Sequence, residues 1–310
     1  MLRSMAHANL IPTVQHTPAA QSRLGVLLVA GSALTWSFGG AIARFITVDD
    51  NWTIVFWRSG FAALFLLAFM LYRDGFRGTL HLFRDMGLAG LGVAACFAIA
   101  STSFIVALAH TTVANILLMQ AGVPLFAALL AWALFGERVS RATWIAIAAV
   151  IAGVAIMVSS SFTGEVSALG DGLALLIAVM FSIATVITRR HAQVRMTPAV
   201  CLGTLMAVIA SSLLAGGFAV SSADAFWLFL FGAVNLGLGL AMFATGARLI
   251  PAALAALVGT LEPVLGPVWV WLVHGEVPGT STIIGGSVVF AALFAHLLTE
   301  WRRQSAARGG

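Results

Sequence analysis

Ten apolar runs, each about twenty residues long, follow one another along the chain with only short polar turns between them. That spacing limits the possible folds more than any other feature. Twenty helical residues reach across about 30 Å of hydrocarbon. A barrel strand would instead alternate over about ten residues, and these runs do not alternate. Composition agrees: the 310 residues are 61% hydrophobic and 9% charged, with mean hydropathy +1.03, where a soluble domain carries about 25% charged residues. Too few polar side chains exist to cover a water-facing surface, so a lipid bilayer is the expected surrounding. The reading is an all-α polytopic membrane protein with ten transmembrane helices. They fall at roughly 24–46, 52–72, 86–109, 113–135, 142–160, 172–188, 198–218, 226–247, 252–273 and 282–299.

The net charge of +5 rests on 16 arginines, with no lysine. A basic chain can signal nucleic acid. These arginines sit at helix ends rather than along one stripe, so no nucleic-acid partner is expected. With ten spans the two termini share a side. Fourteen of the 16 arginines then fall on that side, and only Arg44 and Arg58 lean to the other. The opposite turns hold Asp49, Asp50, Glu165, Asp171, Asp224 and Glu276. The positive-inside rule places both termini in the cytoplasm, and Arg44 and Arg58 are expected to snorkel to lipid phosphates. Cys96 and Cys201 lie inside apolar runs and offer no disulfide framework or metal spacing. No phosphate loop, nucleophile–base arrangement or zinc-protease helix is present. No cofactor, metal or enzymatic activity is therefore expected.

Residues 118–137, LMQAGVPLFAALLAWALFGE, return as 257–276, LVGTLEPVLGPVWVWLVHGE. At this fixed offset of 139, Pro124 meets Pro263, Trp132 meets Trp271, and Gly136–Glu137 meet Gly275–Glu276. Ser37 and Arg44 answer Ser182 and Arg189 at an offset of 145. The first five spans thus map on the last five. Five is odd, so the second copy enters lipid from the opposite side. Two inverted five-helix repeats are an architecture of secondary transporters, whose substrate site lies near the midplane between the repeats. The expected division is a disordered cytoplasmic tail (1–22), the first repeat (23–162), the second (163–300) and a cytoplasmic tail, also expected to be disordered (301–310).

Several residues stand at mid-span. Glu262 is the one charge inside its run, and a carboxylate at the bilayer centre costs at least about 2.5 kcal/mol. It is expected to face a cavity, find a partner or hold a proton. In a site it would contact a substrate amine or carry a proton; otherwise it would be neutral, hydrogen-bonded glue between helices. Trp36 alone among the 9 tryptophans sits away from the membrane interfaces, where it either lines a pocket or packs between helices. Ser37, Ser101, Gln120, Ser182 and Asn235 stand at similar depth and complete the candidate substrate cavity. Asn235 is the most demanding of these, since an amide in hydrocarbon needs several partners. Pro124, Pro263 and Pro267 are the candidate hinges, because each leaves the carbonyl four residues back without its helical donor. The alternative is a static kink.

The stretches GVPLFAALLAWALFGER and LEPVLGPVWVWLVHGE, with ALTWSFGGAIARF and VFWRSGFAALFLL in the first two spans, give the chain a likeness. It resembles the EamA-like permeases of the drug/metabolite transporter superfamily over about 24–298. Members are similar in exporting amino acids, metabolites or drugs, and some carry sugar nucleotides. The chain most resembles bacterial exporters of aromatic and other amino acids. The resemblance implies a multi-pass protein of a bacterial inner membrane with a small-molecule substrate. The expected activity is a secondary transporter of small amphipathic metabolites, foremost an amino-acid exporter working by alternating access. Protons carried on Glu262 are one candidate for coupling. A drug or multidrug carrier, a carrier of other metabolites such as nucleotide sugars, and a channel are the alternatives. A channel would want rings of charge or carbonyls from several subunits, which one buried carboxylate does not supply.

Overall fold

The structure, a computed structural model, describes residues 18–309 apart from 138, 163–166 and 251. The expected tail over 1–17, the linker residues 163–166 and Gly310 lie outside the described residues. The helices are α1 (Pro18–Ser37), α2 (Gly39–Ala43), α3 (Asn51–Asp85), α4 (Gly87–Leu108), α5 (Val113–Gln120), α6 (Val123–Phe135) and α7 (Arg141–Phe162). There follow α8 (Ala168–Arg190), α9 (Thr197–Leu214), α10 (Ser222–Phe229), a π-helical segment (Leu230–Leu238), α11 (Gly239–Gly246), α12 (Ala252–Gly259), α13 (Leu261–His274) and α14 (Thr280–Gly309). Among the described residues nine stretches are long and apolar enough to cross a membrane, and α5 with α6, bent by 43°, makes a tenth. The chain is an all-helical, multi-pass membrane protein.

Three boundaries differ from the sequence reading. The helix α1 begins at Pro18, inside the expected tail; proline suits a first helical turn because its missing N–H would be unpaired there anyway. The span in α3 ends at Gly75, whose φ of 69° and ψ of 175° suit only glycine, and residues 76–85 form a second helical arm. The last helix continues to Gly309 instead of giving way to a disordered tail, because the stretch EWRRQSAAR that follows the apolar run is made largely of good helix formers.

Packing follows the repeat. The first helix of each copy leaves its own copy and packs on the other: α1 lies against α11, α12 and α13, and α8 against α4, α5 and α6. The second spans pair as α3 with α9, the fifth as α7 with α14. Exchanging the two copies maps each of these contacts onto another, as a twofold axis in the membrane plane would. The fourth span of one copy meets that of the other where α5 packs on α13. Their contact is tight: a Cβ on Gly266 would come within 2.2 Å of Leu117 Cδ1, so glycine is what lets the two backbones approach. Both fourth spans stop alike, at Gly136 (φ 64°) and Gly275 (φ 68°), in the left-handed conformation that a glycine cap adopts cheaply. One end of the bundle gathers Asp49, Asp50, Asp171, Asp224 and Glu276; the other gathers most of the arginines. These are called the acidic and arginine-rich ends below.

Candidate functional site

The two repeated spans break at the same place. Helix α5 ends at Gln120 and α6 starts at Val123; α12 ends at Gly259 and α13 starts at Leu261. Pro124 and Pro263 stand just past these breaks and deprive the carbonyls of Gln120 and Gly259 of their donors. Pro267 lies inside the unbroken α13, so it marks no break of its own. A third interruption separates α1 from α2 at Phe38. There Asn235 Nδ2 donates to the carbonyls of Thr35 (2.6 Å) and Trp36 (3.3 Å).

Helices α5 and α13 run antiparallel. Val113 N donates to Glu276 Oε1 at 2.8 Å, and Gly266 faces Leu117. The same register sets Gln120 and Glu262 at one level. Glu262 precedes Gly266 and Val270 by one and two turns, and both are buried, so it faces the bundle rather than the acyl chains. It is half-buried and makes no hydrogen bond or ion pair among the described residues. Gln120 Nε2 is buried without an acceptor among the described residues. Ser182 lies beside them: its Oγ donates to the carbonyl of Ala178 in its own helix (2.6 Å) and lies 3.2 Å from the carbonyl of Val123, the repeat mate of Glu262, while Ser37 Oγ accepts from Trp269 Nε1 (3.0 Å) further along α13. Gln120, Ser182 and Glu262 therefore stand at the two breaks, and Ser37 lies one to two turns from Glu262 along α13.

The remaining candidates are engaged elsewhere. Ser101 Oγ accepts from Arg58 Nη1 at 2.8 Å. Asn235 holds the end of α1. The Trp36 ring packs 5.4 Å from Phe243, with its Nε1 against Gly239 and no acceptor among the described residues. Trp269, expected at an interface, instead stacks inside on Phe38 with ring centroids 4.9 Å apart. Among the described residues no group of three or more His, Cys, Asp or Glu side chains could hold a metal ion.

Neither Arg44 nor Arg58 reaches for lipid phosphates. At the acidic end Arg44 pairs with Glu276 at 2.8 Å and donates to the carbonyls of Leu108 (2.7 Å) and Thr111 (3.4 Å). A His274 ring nitrogen adds a 2.9 Å contact to the carbonyl of Ala41. At the arginine-rich end Arg189 meets Glu137 at 3.5 Å. By the repeat offsets these are the same pair used twice, each joining an arginine of one copy to a glutamate of the other. They are unequal. The Arg44 and Glu276 side chains are 31% and 18% exposed, those of Arg189 and Glu137 59% and 40%. The acidic-end pair is the shorter, the drier and the one with further partners.

Other ties cross the copies at the acidic end. Asp224 accepts from Thr47 N at 2.7 Å, and Asn115 Nδ2 donates to Asp171. Asp50 accepts from Trp52 N, Thr53 Oγ1 and Gly216 N. Burial pushes the Asp50 carboxyl up, but these hydrogen bonds outweigh it and hold the group below its ordinary 3.8. The α3–α9 seam is tied at both ends, since Arg195 also pairs with Asp74 at 2.8 Å. The seam along the two broken spans is tied unequally, by Arg44–Glu276 at 2.8 Å at one end and by Arg189–Glu137 at 3.5 Å at the other.

Arg58 is the residue that sequence reasoning placed worst. It is 6% exposed, with its guanidinium 4.4 Å from the Phe231 ring centroid and 5.7 Å from that of Phe104. A cation over an aromatic face in a dry setting gains about 2 kcal/mol, less than the several kcal/mol a buried ion loses with its water.

The EamA-like transporter family matches the sequence twice, over residues 23–159 and 168–298. The chain belongs to the EamA-like transporter family. The two matches cover the two sets of five spans. A crystal structure of another protein, 19% identical, superposes with a TM-score of 0.61 over 90% of this chain and 98% of that one, which shows a shared fold. No curated protein sequence matches the chain significantly.

Proposed function

We propose that this EamA-like protein is a secondary carrier of small amphipathic metabolites, amino acids foremost, that works by alternating access and exports its substrate. The observation that carries this reading is the duplicated Arg–Glu pair, firm at the acidic end and loose at the arginine-rich end. In an inverted repeat the two copies can exchange shapes, and exchanging them would loosen the first pair and tighten the second. Each pair would then act as the latch of one gate. The positive-inside rule assigns the arginine-rich end to the cytoplasm of a bacterial inner membrane, so the loosely held gate is the one through which an exporter loads. Ser37, Gln120, Ser182 and Glu262 are the proposed substrate contacts. The domain boundaries of the sequence reading, 23–162 and 163–300, are retained for the two repeats, with α1 and α8 each moving with the opposite copy. Energy would come from a gradient, with a proton on Glu262 as the coupling step.

The test is reconstitution of the full chain in liposomes. A carrier gives saturable uptake that rises when substrate is loaded on the far side. Flux that neither saturates nor responds to the far side would replace this reading with a channel.

A further inference from the structure

The structure gives the Arg58 guanidinium no carboxylate among the described residues. Its one hydrogen bond there runs from Nη1 to Ser101 Oγ, and Nε is buried with no acceptor. Nε and Nη2 form the side-on edge of the guanidinium, the edge that takes a carboxylate with two parallel bonds. That edge is held ready from several sides. Phe231 and Phe104 lie against the guanidinium, and Ser101 fixes one nitrogen. Behind it, a Cβ on Gly232 would come within 2.3 Å of the Arg58 carbonyl, so only glycine allows the π-helical segment to press Phe231 onto the cation. A π-helical turn is locally unfavourable and gathers at functional sites. Phe104, although packed against two core clusters, keeps part of its surface accessible.

Depth separates this cation from the central site. Ser101 lies seven residues before Leu108, and Glu262 fourteen before Glu276; Leu108 and Glu276 both meet Arg44. At the helical rise of 1.5 Å per residue, Arg58 stands about 10 Å nearer the acidic end than Glu262. No small zwitterion reaches both at once.

Resting on the carrier reading above, we propose that the Nε–Nη2 edge of Arg58 is a carboxylate station between the central site and the acidic-end gate. The carried solute is accordingly a carboxylate-bearing metabolite, received by Arg58 on its way to the gate that Arg44 and Glu276 close. Phe104 is the side chain that must move for the carboxylate to arrive.

The test melts the purified full chain with leucine and phenylalanine, and with isopentylamine and phenethylamine, which lack only the carboxylate. The expected result is that the wild type responds to the amino acids at concentrations at least tenfold lower than to the amines. R58L should erase that preference while melting no lower than the wild type, because replacing an unpaired buried charge by an apolar side chain is often neutral or stabilising. R58K, which keeps the charge but loses the fork, should reduce the preference, and it serves should R58L fail to fold. Equal response to acids and amines, response to neither, or a preference preserved in R58K or in a folded R58L would overturn the station. Binding with this preference but no counterflow in liposomes would instead sink the carrier reading and leave the station standing.

Discussion

Residues that carry charge inside this bundle divide by what the fold supplies to them. Glu276 has an arginine and the Val113 N–H; among the described residues the Glu137 side chain has only a long contact to an exposed arginine. Glu276→Ala should therefore cost about 1–3 kcal/mol, toward the low end because Arg44 stays partly wetted. Glu137→Ala should cost less than about 0.5 kcal/mol. Paired melting curves in detergent read the difference, and equal losses would contradict the asymmetry of the two latches. Glu262 has no partner among the described residues, so Glu262→Gln should leave the melting temperature nearly unchanged. If Glu262 is the proton carrier, the same variant abolishes pH-driven flux and spares counterflow. Equal loss of both would give it a structural or substrate-binding role instead.

Elements break where proline meets the repeat. Pro124 and Pro263 stand at matching positions just past matching interruptions, while Pro267 stands in continuous helix. If the interruptions are hinges, Pro124→Ala and Pro263→Ala restore a backbone donor, stiffen the span and slow counterflow several-fold with ligand affinity unchanged. Pro267→Ala should do so much less, and a larger effect at Pro267 would move the hinge. This symmetry was legible in the sequence, because the repeated stretch aligns without gaps and proline acts locally. The break at Phe38 was not. It depends on Asn235, distant in sequence, taking up the carbonyls of Thr35 and Trp36.

At the scale of the molecule, the two copies share their elements so fully that neither could fold its first helix alone; α1 and α8 each complete the opposite copy. The proposed gates are seams between copies, so their states are coupled through the broken spans. In a background with Cys96 and Cys201 replaced by alanine, a short bis-maleimide should join R44C to E276C readily at rest. It should join R189C to E137C poorly until substrate is added. Glu276→Gln should raise the second reaction even without substrate. An unchanged yield would uncouple the two ends.

What the sequence determined by itself follows from local chemistry and from counting. Run length sets the helices, the odd number of spans per copy sets the inversion, and glycine after each fourth span sets the stops at Gly136 and Gly275. The duplicated Arg44 and Arg189, Glu137 and Glu276 were visible as letters. Only the tertiary structure decided that they pair across copies, because Arg44 and Glu276 meet where α2 packs on α13, and Arg189 and Glu137 where α8 packs on α6. The burial of Arg58 was decided in the same way: the rings that cover it, Phe104 and Phe231, come from other helices and cannot be read from its own span.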